Sequence, residues 1–172
     1  EAIDRLSNEG KTFSLLSIDG RIAGITGIAD TVRINAKKTV LALQSLGIEV
    51  AMITGDHQKI AESIGKELGI DRVFAEVLPQ DKANYIKKLQ NEGKFVAMVG
   101  DGVNDAPALA LANIGIAIGA GTDVAIETGN IVLMKSEPYD IVNAIKLSKA
   151  TVRKMKQNLF WAAIYNVLAI PV

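Results

Sequence analysis

The chain has 172 residues, 49% of them hydrophobic, with 19 Lys plus Arg balanced by 19 Asp plus Glu, a formal net charge of zero and no cysteine. That length carries one principal core-forming domain, and the even charge balance speaks against a nucleic-acid groove or an acidic partner. Without cysteine there are no disulfides, thiolate metal sites or thiol nucleophiles, and an oxidising compartment is not required.

In chain order, residues 1–10 suit a short helix closed by Gly10, and their charged character does not read as a secretory signal. Thr12 to Ile18 and Arg21 to Ile28 read as two strands around Asp19-Gly20, a dipeptide that favours a tight hairpin turn. After Ala29 and Asp30, helix and strand alternate. Helical apolar spacing over 34–46 (Val40, Leu41, Leu43, Leu46) ends at Gly47, and 48–53 is a nearly continuous apolar strand. A helix over 57–68 ends at Gly69, 73–75 is a short strand, 79–91 is helical and 95–99 is a strand. A short helix over 106–112, a strand over 114–118, a helical turn over 122–127 and a last strand over 131–133 come next, and a long helix begins at Tyr139. Strands and helices in this rhythm predict an α/β fold with a Rossmann-like parallel sheet and helices on both faces, its ligand loops at the carboxyl ends of the strands.

The end of the chain differs in character. LFWAAIYNVLAIPV, from Leu159 to Val172, carries no charge and is preceded by the basic cluster Arg153, Lys154, Lys156. It falls short of the about 20 apolar residues of a full span. It reads either as the start of a transmembrane helix with a cytoplasmic basic flank, or as a buried or amphipathic terminal helix.

Three loops carry polar groups of the kinds that handle phosphate. Thr54-Gly55 offers a hydroxyl and free amides near a helix N-terminus, which suit a phosphate, while Asp56 reads as the cap of that helix. Lys82 stands in a first helical turn, where its charge opposes the helix dipole; alone, it reads as a surface lysine. In MVGDGVNDAPAL, from Met98 to Leu109, glycines flank Asp101, a hard oxygen ligand suited to Mg²⁺, and Asn104 or Asp105 is placed to cap the helix that starts near Ala106-Pro107. His57, the sole histidine, reads as an exposed surface residue, and Gly119-Ala120-Gly121 as a turn with Thr122 or Asp123 as cap.

MITGD at Met52 to Asp56, PQDK at Pro79 to Lys82 and VGDGVNDAPAL at Val99 to Leu109, in this order, resemble the phosphorylation domain of a P-type ATPase within the haloacid-dehalogenase-like superfamily. The resemblance covers most of the chain from about Ile28 onward, and the last motif is the specific one. It implies that Thr54 and Gly55 contact the transferred phosphoryl group, that Lys82 neutralises it, and that Asp101 holds Mg²⁺ with Asn104 and Asp105 in support. On this reading the catalytic residues are Thr54, Lys82 and Asp105. Thr54, Gly55, Lys82 and Asn104 bind phosphate, and Asp101 and Asp105 bind the metal, with ATP as substrate. Residues 1–28 would end a nucleotide-binding domain, 29–156 form the phosphorylation domain, and 157–172 begin a transmembrane helix.

The family's nucleophile is an aspartate in an Asp-Lys-Thr-Gly-Thr motif, and that motif does not occur in this sequence. The covalent aspartyl phosphate then needs a segment outside it, and that segment would also bring the central strand of the sheet. Tyr165-Asn166 with Pro171 beyond them resembles the copper-transporting members of the heavy-metal subgroup, which implies transported copper(I), a multi-pass membrane parent and a cytoplasmic position for this domain. Two other readings stand beside it: a soluble Mg²⁺-dependent phosphatase of the same superfamily, and a phosphate-binding module without a nucleophile.

Overall fold

The computed structural model describes residues 12–28, 32–101, 103–119 and 127–169. The helix expected over 1–10, the helical turn expected from 122 and the caps expected at Thr122 or Asp123 lie outside the described residues. Thr12–Ile18 (β1) and Arg21–Ile28 (β2) pair antiparallel, Thr12 opposite Ile28, with a register shift between Leu16 and Ser17. The turn closes because Asp19 and Gly20 take φ of 51° and 76°, the left-handed pair that a type I′ turn requires. Leu15, Leu16, Ile18 and Ile22 stay exposed on this ribbon, which buries too little to be stable by itself.

The alternating part begins with helix Ala36–Ser45 (α1), strand Ala51–Ile53 (β3), helix Gln58–Leu68 (α2) and strand Arg72–Phe74 (β4). A 3-10 turn at Pro79–Asp81 leads into helix Lys82–Asn91 (α3), strand Ala97–Gly100 (β5), a second 3-10 turn at Val103–Asp105 and helix Ala106–Leu111 (α4). Strands Ile114–Ile118 (β6) and Ile131–Leu133 (β7) and helix Tyr139–Ala169 (α5) complete it. The expected strand over 48–53 forms a ladder only from Ala51, because its partner β4 is three residues long.

Side-chain alternation shows how the layers form. On β3 and β4, Met52 and Val73 pack with Val40, Leu68 and Ile70, beneath α1 and α2. Their neighbours Ile53 and Phe74 pack with Ile86, Leu89, Val96 and Ala108, beneath α3 and α4. Successive strand residues point to opposite faces, so β3 and β4 carry helices on both sides. Truncating fully buried Ile86 to Ala should cost about 2–5 kcal/mol.

All pairings in this part are parallel, but they form two pieces. Met52 is opposite Val73 in the β3–β4 pair, while Met98 is opposite Gly115 and Ile116 opposite Ile131 in β5–β6–β7. No ladder joins β3 to β5 among the described residues; the pieces are held together by the cluster in which Ile53, Phe74 and Met98 meet.

The first turns of α5 are anchored. Ile141 and Val142 are buried, the Arg33 guanidinium donates to the Ser136 carbonyl at 2.5 Å, the Asn35 amide donates to Glu137 Oε2 at 3.2 Å, and Lys38 Nζ lies 4.8 Å from the centre of the Tyr139 ring. Farther along, α5 is exposed through residues 146–163. Among the described residues no helix is long and apolar enough to cross a membrane.

Candidate functional site

Strand β3 ends by handing its backbone to the loop after β4. Thr54 N–H donates to the Phe74 carbonyl at 2.9 Å, Val77 N–H to the Thr54 carbonyl at 3.0 Å, and Glu76 N–H to the Asp56 carbonyl at 2.9 Å. The Thr54 hydroxyl donates to Asp56 Oδ2 at 2.6 Å and accepts the Asp56 N–H at 3.1 Å. Asp56 is therefore not the cap of α2, contrary to the expectation from its position. The N-cap residue is His57, which makes no side-chain cap bond, and the Asp56 carboxylate is occupied with Thr54. Gly55 stands exposed between them.

Leu78 is extended and Pro79 opens the 3-10 turn, so the chain reverses tightly and presents Lys82 as the first residue of α3. Lys82 Nζ donates to Asp105 Oδ1 at 2.6 Å, with the two side chains only 19% and 11% exposed. The pair accounts for a lysine at a helix start: its charge faces a carboxylate from a loop 23 residues away, not bulk solvent. Asp105 occupies the N-cap position of α4, yet it makes no side-chain cap bond. Gly100 makes its placement possible, because a Cβ there would fall 2.6 Å from Asp105 Cβ and 2.7 Å from Asp105 Oδ2.

Asp101 and Asn104 are exposed on the loop that carries Asp105, and neither side chain has a hydrogen-bond partner among the described residues. One free carboxylate at a strand end, with a second nearby, fits Mg²⁺, which keeps several waters and takes only one or two carboxylates plus phosphate oxygens. The described residues hold no group of three acidic or imidazole ligands of the kind a dedicated protein cage would need. The fit is thus to a cation shared with a phosphate.

The structure brings Lys82 and Asp105 into contact, with Asp101 and Asn104 on the same loop as Asp105. No hydrogen bond joins the Thr54–Asp56 loop to that pair among the described residues; the link between them is the common core of Ile53 and Met98. Tyr165 and Asn166 sit exposed near the far end of α5. Glu76 carries no signal in its local sequence. It holds φ at 54°, a left-handed conformation unusual for glutamate, and its Oε1 lies 3.2 Å from His57 Nδ1.

The amino ends of the strands carry a separate ion network. Arg72 donates to both carboxylate oxygens of Glu92 at 2.7 Å, and Lys94 donates to Glu49 at 2.6 Å. The Lys94 ammonium holds the Glu49 carboxyl below its ordinary range, with a smaller contribution from Arg72. The network ties the segments entering β3, β4 and β5 at the edge opposite the candidate site.

A family model described as haloacid dehalogenase-like hydrolase matches residues 1–113. The probable copper-importing P-type ATPase A of Enterococcus hirae is 52% identical over 168 residues, 96% of this chain and 23% of that protein. The copper-exporting P-type ATPase of Bacillus subtilis is 52% identical over 170 residues, 99% of this chain and 21% of that protein. Among solved structures, a zinc-transporting PIB-type ATPase in an E2.Pi state superposes with a TM-score of 0.81 at 38% identity, covering 98% of this chain and 28% of the other. The chain thus spans less than a quarter of the length of these two curated relatives. With the parallel α/β core and the paired Lys82 and Asp105 in place, the chain belongs to the haloacid dehalogenase-like hydrolases, and the relatives it matches over nearly its whole length are P-type ATPases.

Proposed function

We propose that this chain is part of an ATP-driven copper(I) transporter, supplying the phosphoryl- and Mg²⁺-handling loops of a reaction whose aspartate nucleophile lies outside these 172 residues. The observation that carries the reading is the enclosed Lys82–Asp105 pair at 2.6 Å, which joins two of the three motifs at one point. Phosphoryl transfer rests on positioning and charge neutralisation more than on covalent chemistry from the protein. Thr54, Gly55, Lys82 and Asn104 take the phosphoryl oxygens: a hydroxyl, a backbone amide, an ammonium and a carboxamide supply donors and one full positive charge. Asp101 and Asp105 are the carboxylates that would hold Mg²⁺. Bound there, the ion supplies positive charge to the phosphate oxygens. Gly100 keeps Asp105 close enough to β5 to serve both Lys82 and the cation.

Copper is favoured over zinc because relatives 52% identical transport copper, whereas the zinc-transporting structure is 38% identical. One of those relatives is a probable importer and the other an exporter, so they do not fix a direction. Exposed Tyr165 and Asn166 on an apolar helix segment are the candidate ion contacts. The parent is a multi-pass membrane protein, with this domain on the cytoplasmic side under the positive-inside rule.

The test is phosphoenzyme formation and turnover from labelled ATP in the full-length protein. Asp101→Asn should abolish turnover, and wild-type turnover in that variant would overturn the metal assignment. Lys82→Ala should sharply lower phosphorylation; an unaffected rate would leave Lys82 as a structural partner of Asp105. Asn166→Ala should reduce copper-stimulated ATP hydrolysis, and unchanged stimulation would remove Asn166 from the ion path.

A further inference from the structure

We propose that one face of α5, formed by Lys149, Arg153 and Lys156, docks the phosphate groups of anionic membrane lipids; the inference rests on the membrane reading above and adds a lipid class and a site to it. The whole chain is electrically neutral, yet Lys146, Lys149, Arg153, Lys154 and Lys156 crowd one stretch of α5, whose acidic residue, Asp140, lies back in its first turn. All five cations are exposed, and among the described residues none takes part in an ion pair. Unpaired cations on an exposed helix are unremarkable when scattered. Here they are ordered.

At roughly 100° per residue, Lys149, Arg153 and Lys156 fall within a sector of about 60°, whereas Lys154 points about 100° away from Arg153. The three line one shallow, open depression on the helix surface with Val152, Gln157 and Phe160. The guanidinium fork and two ammonium groups, with the Gln157 amide beside them, are donors matched to a phosphodiester. The lysine and arginine stems reach along the helix while the heads stay in the polar layer.

The next stretch of the helix selects a lipid over a soluble anion. Phe160 and Val167 fall in the same sector as Lys149, Arg153 and Lys156, and both are at least 60% exposed, as is Trp161 farther round the helix. Tryptophan favours the depth of the headgroups and upper acyl chains. At about 1.5 Å per residue, Phe160 lies roughly 6 Å beyond Lys156 along the axis and on the same face, so an apolar ring and the cations fit adjoining layers of one leaflet. A nucleotide or free phosphate would use the cations and leave this apolar belt in water.

The experiment places the full-length protein in phosphatidylcholine bilayers and compares the immobilised fraction of spin-labelled phosphatidylglycerol with that of spin-labelled phosphatidylcholine by electron paramagnetic resonance. Glutamine keeps the helix, so Arg153→Gln and Lys154→Gln remove equal charge from adjacent positions on different faces. The preference for phosphatidylglycerol should fall roughly fivefold in Arg153→Gln and nearly vanish in the triple variant Lys149→Gln/Arg153→Gln/Lys156→Gln, while Lys154→Gln should stay near wild type. Equal losses in the two single variants would mean a diffuse charge effect and overturn the site. Loss of the wild-type preference on adding inorganic phosphate as competitor would assign the cations to a free anion and overturn the lipid. Failure of the protein to insert into the bilayers at all would sink the membrane reading itself, an outcome distinct from insertion without lipid preference.

Discussion

Removing the charge of Lys82 while keeping its stem, as Lys82→Met does, should destabilise the protein by about 3 kcal/mol. The size comes from the asymmetry of the pair. Asp105 is 8% exposed, pinned by the 3-10 turn at Val103–Asp105 and pressed against Gly100, so it cannot turn to water when the ammonium 2.6 Å away is lost. Lys82 has a long, flexible stem that can reach solvent. Asp105→Asn should therefore cost less, about 1–2 kcal/mol, and Lys82→Met should add almost nothing in an Asp105→Asn background. Denaturant unfolding of the four proteins measures this cycle, and the Lys82→Met variant should melt about 6–12 °C below wild type. A coupling below about 0.5 kcal/mol would mean that the two charges are solvated independently, and would refute the argument that the loop encloses them.

Three further outcomes are expected. Gly100→Ala places a methyl 2.6 Å from Asp105 Cβ, and displacing that carboxylate should cost about 1–3 kcal/mol by denaturant unfolding together with a loss of phosphoenzyme turnover; unchanged stability and turnover would show that the loop yields freely. Glu76→Gly relieves a left-handed backbone at φ 54° and should stabilise by about 0.5–1 kcal/mol, read as a higher melting midpoint. Because the Glu49 carboxyl is held low by Lys94, its contribution is present above the unfolded-state pKa and lost as pH falls through the lower folded value. Glu49→Gln should flatten the stability profile in that acidic window, and an unaltered profile would remove Glu49 from the acid response.

Repeated alternation makes the order of elements legible, and strands β1, β2, β6 and β7 have the bounds that residue pattern predicts. Their ends are marked by residues with one physical meaning, such as Asp19-Gly20 with two positive φ angles. The start of β3 is not legible, because apolar Ile48 and Val50 look like strand while a ladder exists only where a partner reaches. The candidate site is legible as residue types and not as pairs. Nothing local says that Lys82 will meet Asp105; that contact depends on both 3-10 turns and on a glycine at 100. The cap expected at Asp56 fails for a similar reason, since the nearer Thr54 hydroxyl competes for the carboxylate. Glu76 is invisible in the sequence, because a left-handed φ on glutamate is imposed by the bonds at Asp56 and Thr54 and not by the residue itself.

The break in the sheet gives the proposed function a test independent of catalysis. β3 pairs only with β4, and β5 only with β6, so each has one unpaired edge among the described residues, although both contribute to a single core through Ile53 and Met98. Unpaired edges in the middle of an α/β layer are unfavourable, because they leave backbone donors and acceptors without ladder partners. A strand ending in the Asp-Lys-Thr-Gly-Thr motif, inserted between β3 and β5, would pair both edges and set its aspartate at the same strand ends as Thr54 and Asp101. Amides of β3 and β5 should then exchange hydrogen markedly more slowly in a longer polypeptide containing that strand than in this 172-residue chain, while those of β6, paired on both sides already, should change little. Equal exchange at β3 and β5 in the two proteins would place the nucleophile's strand elsewhere, and with it the whole arrangement of the three motifs around a transferred phosphoryl group.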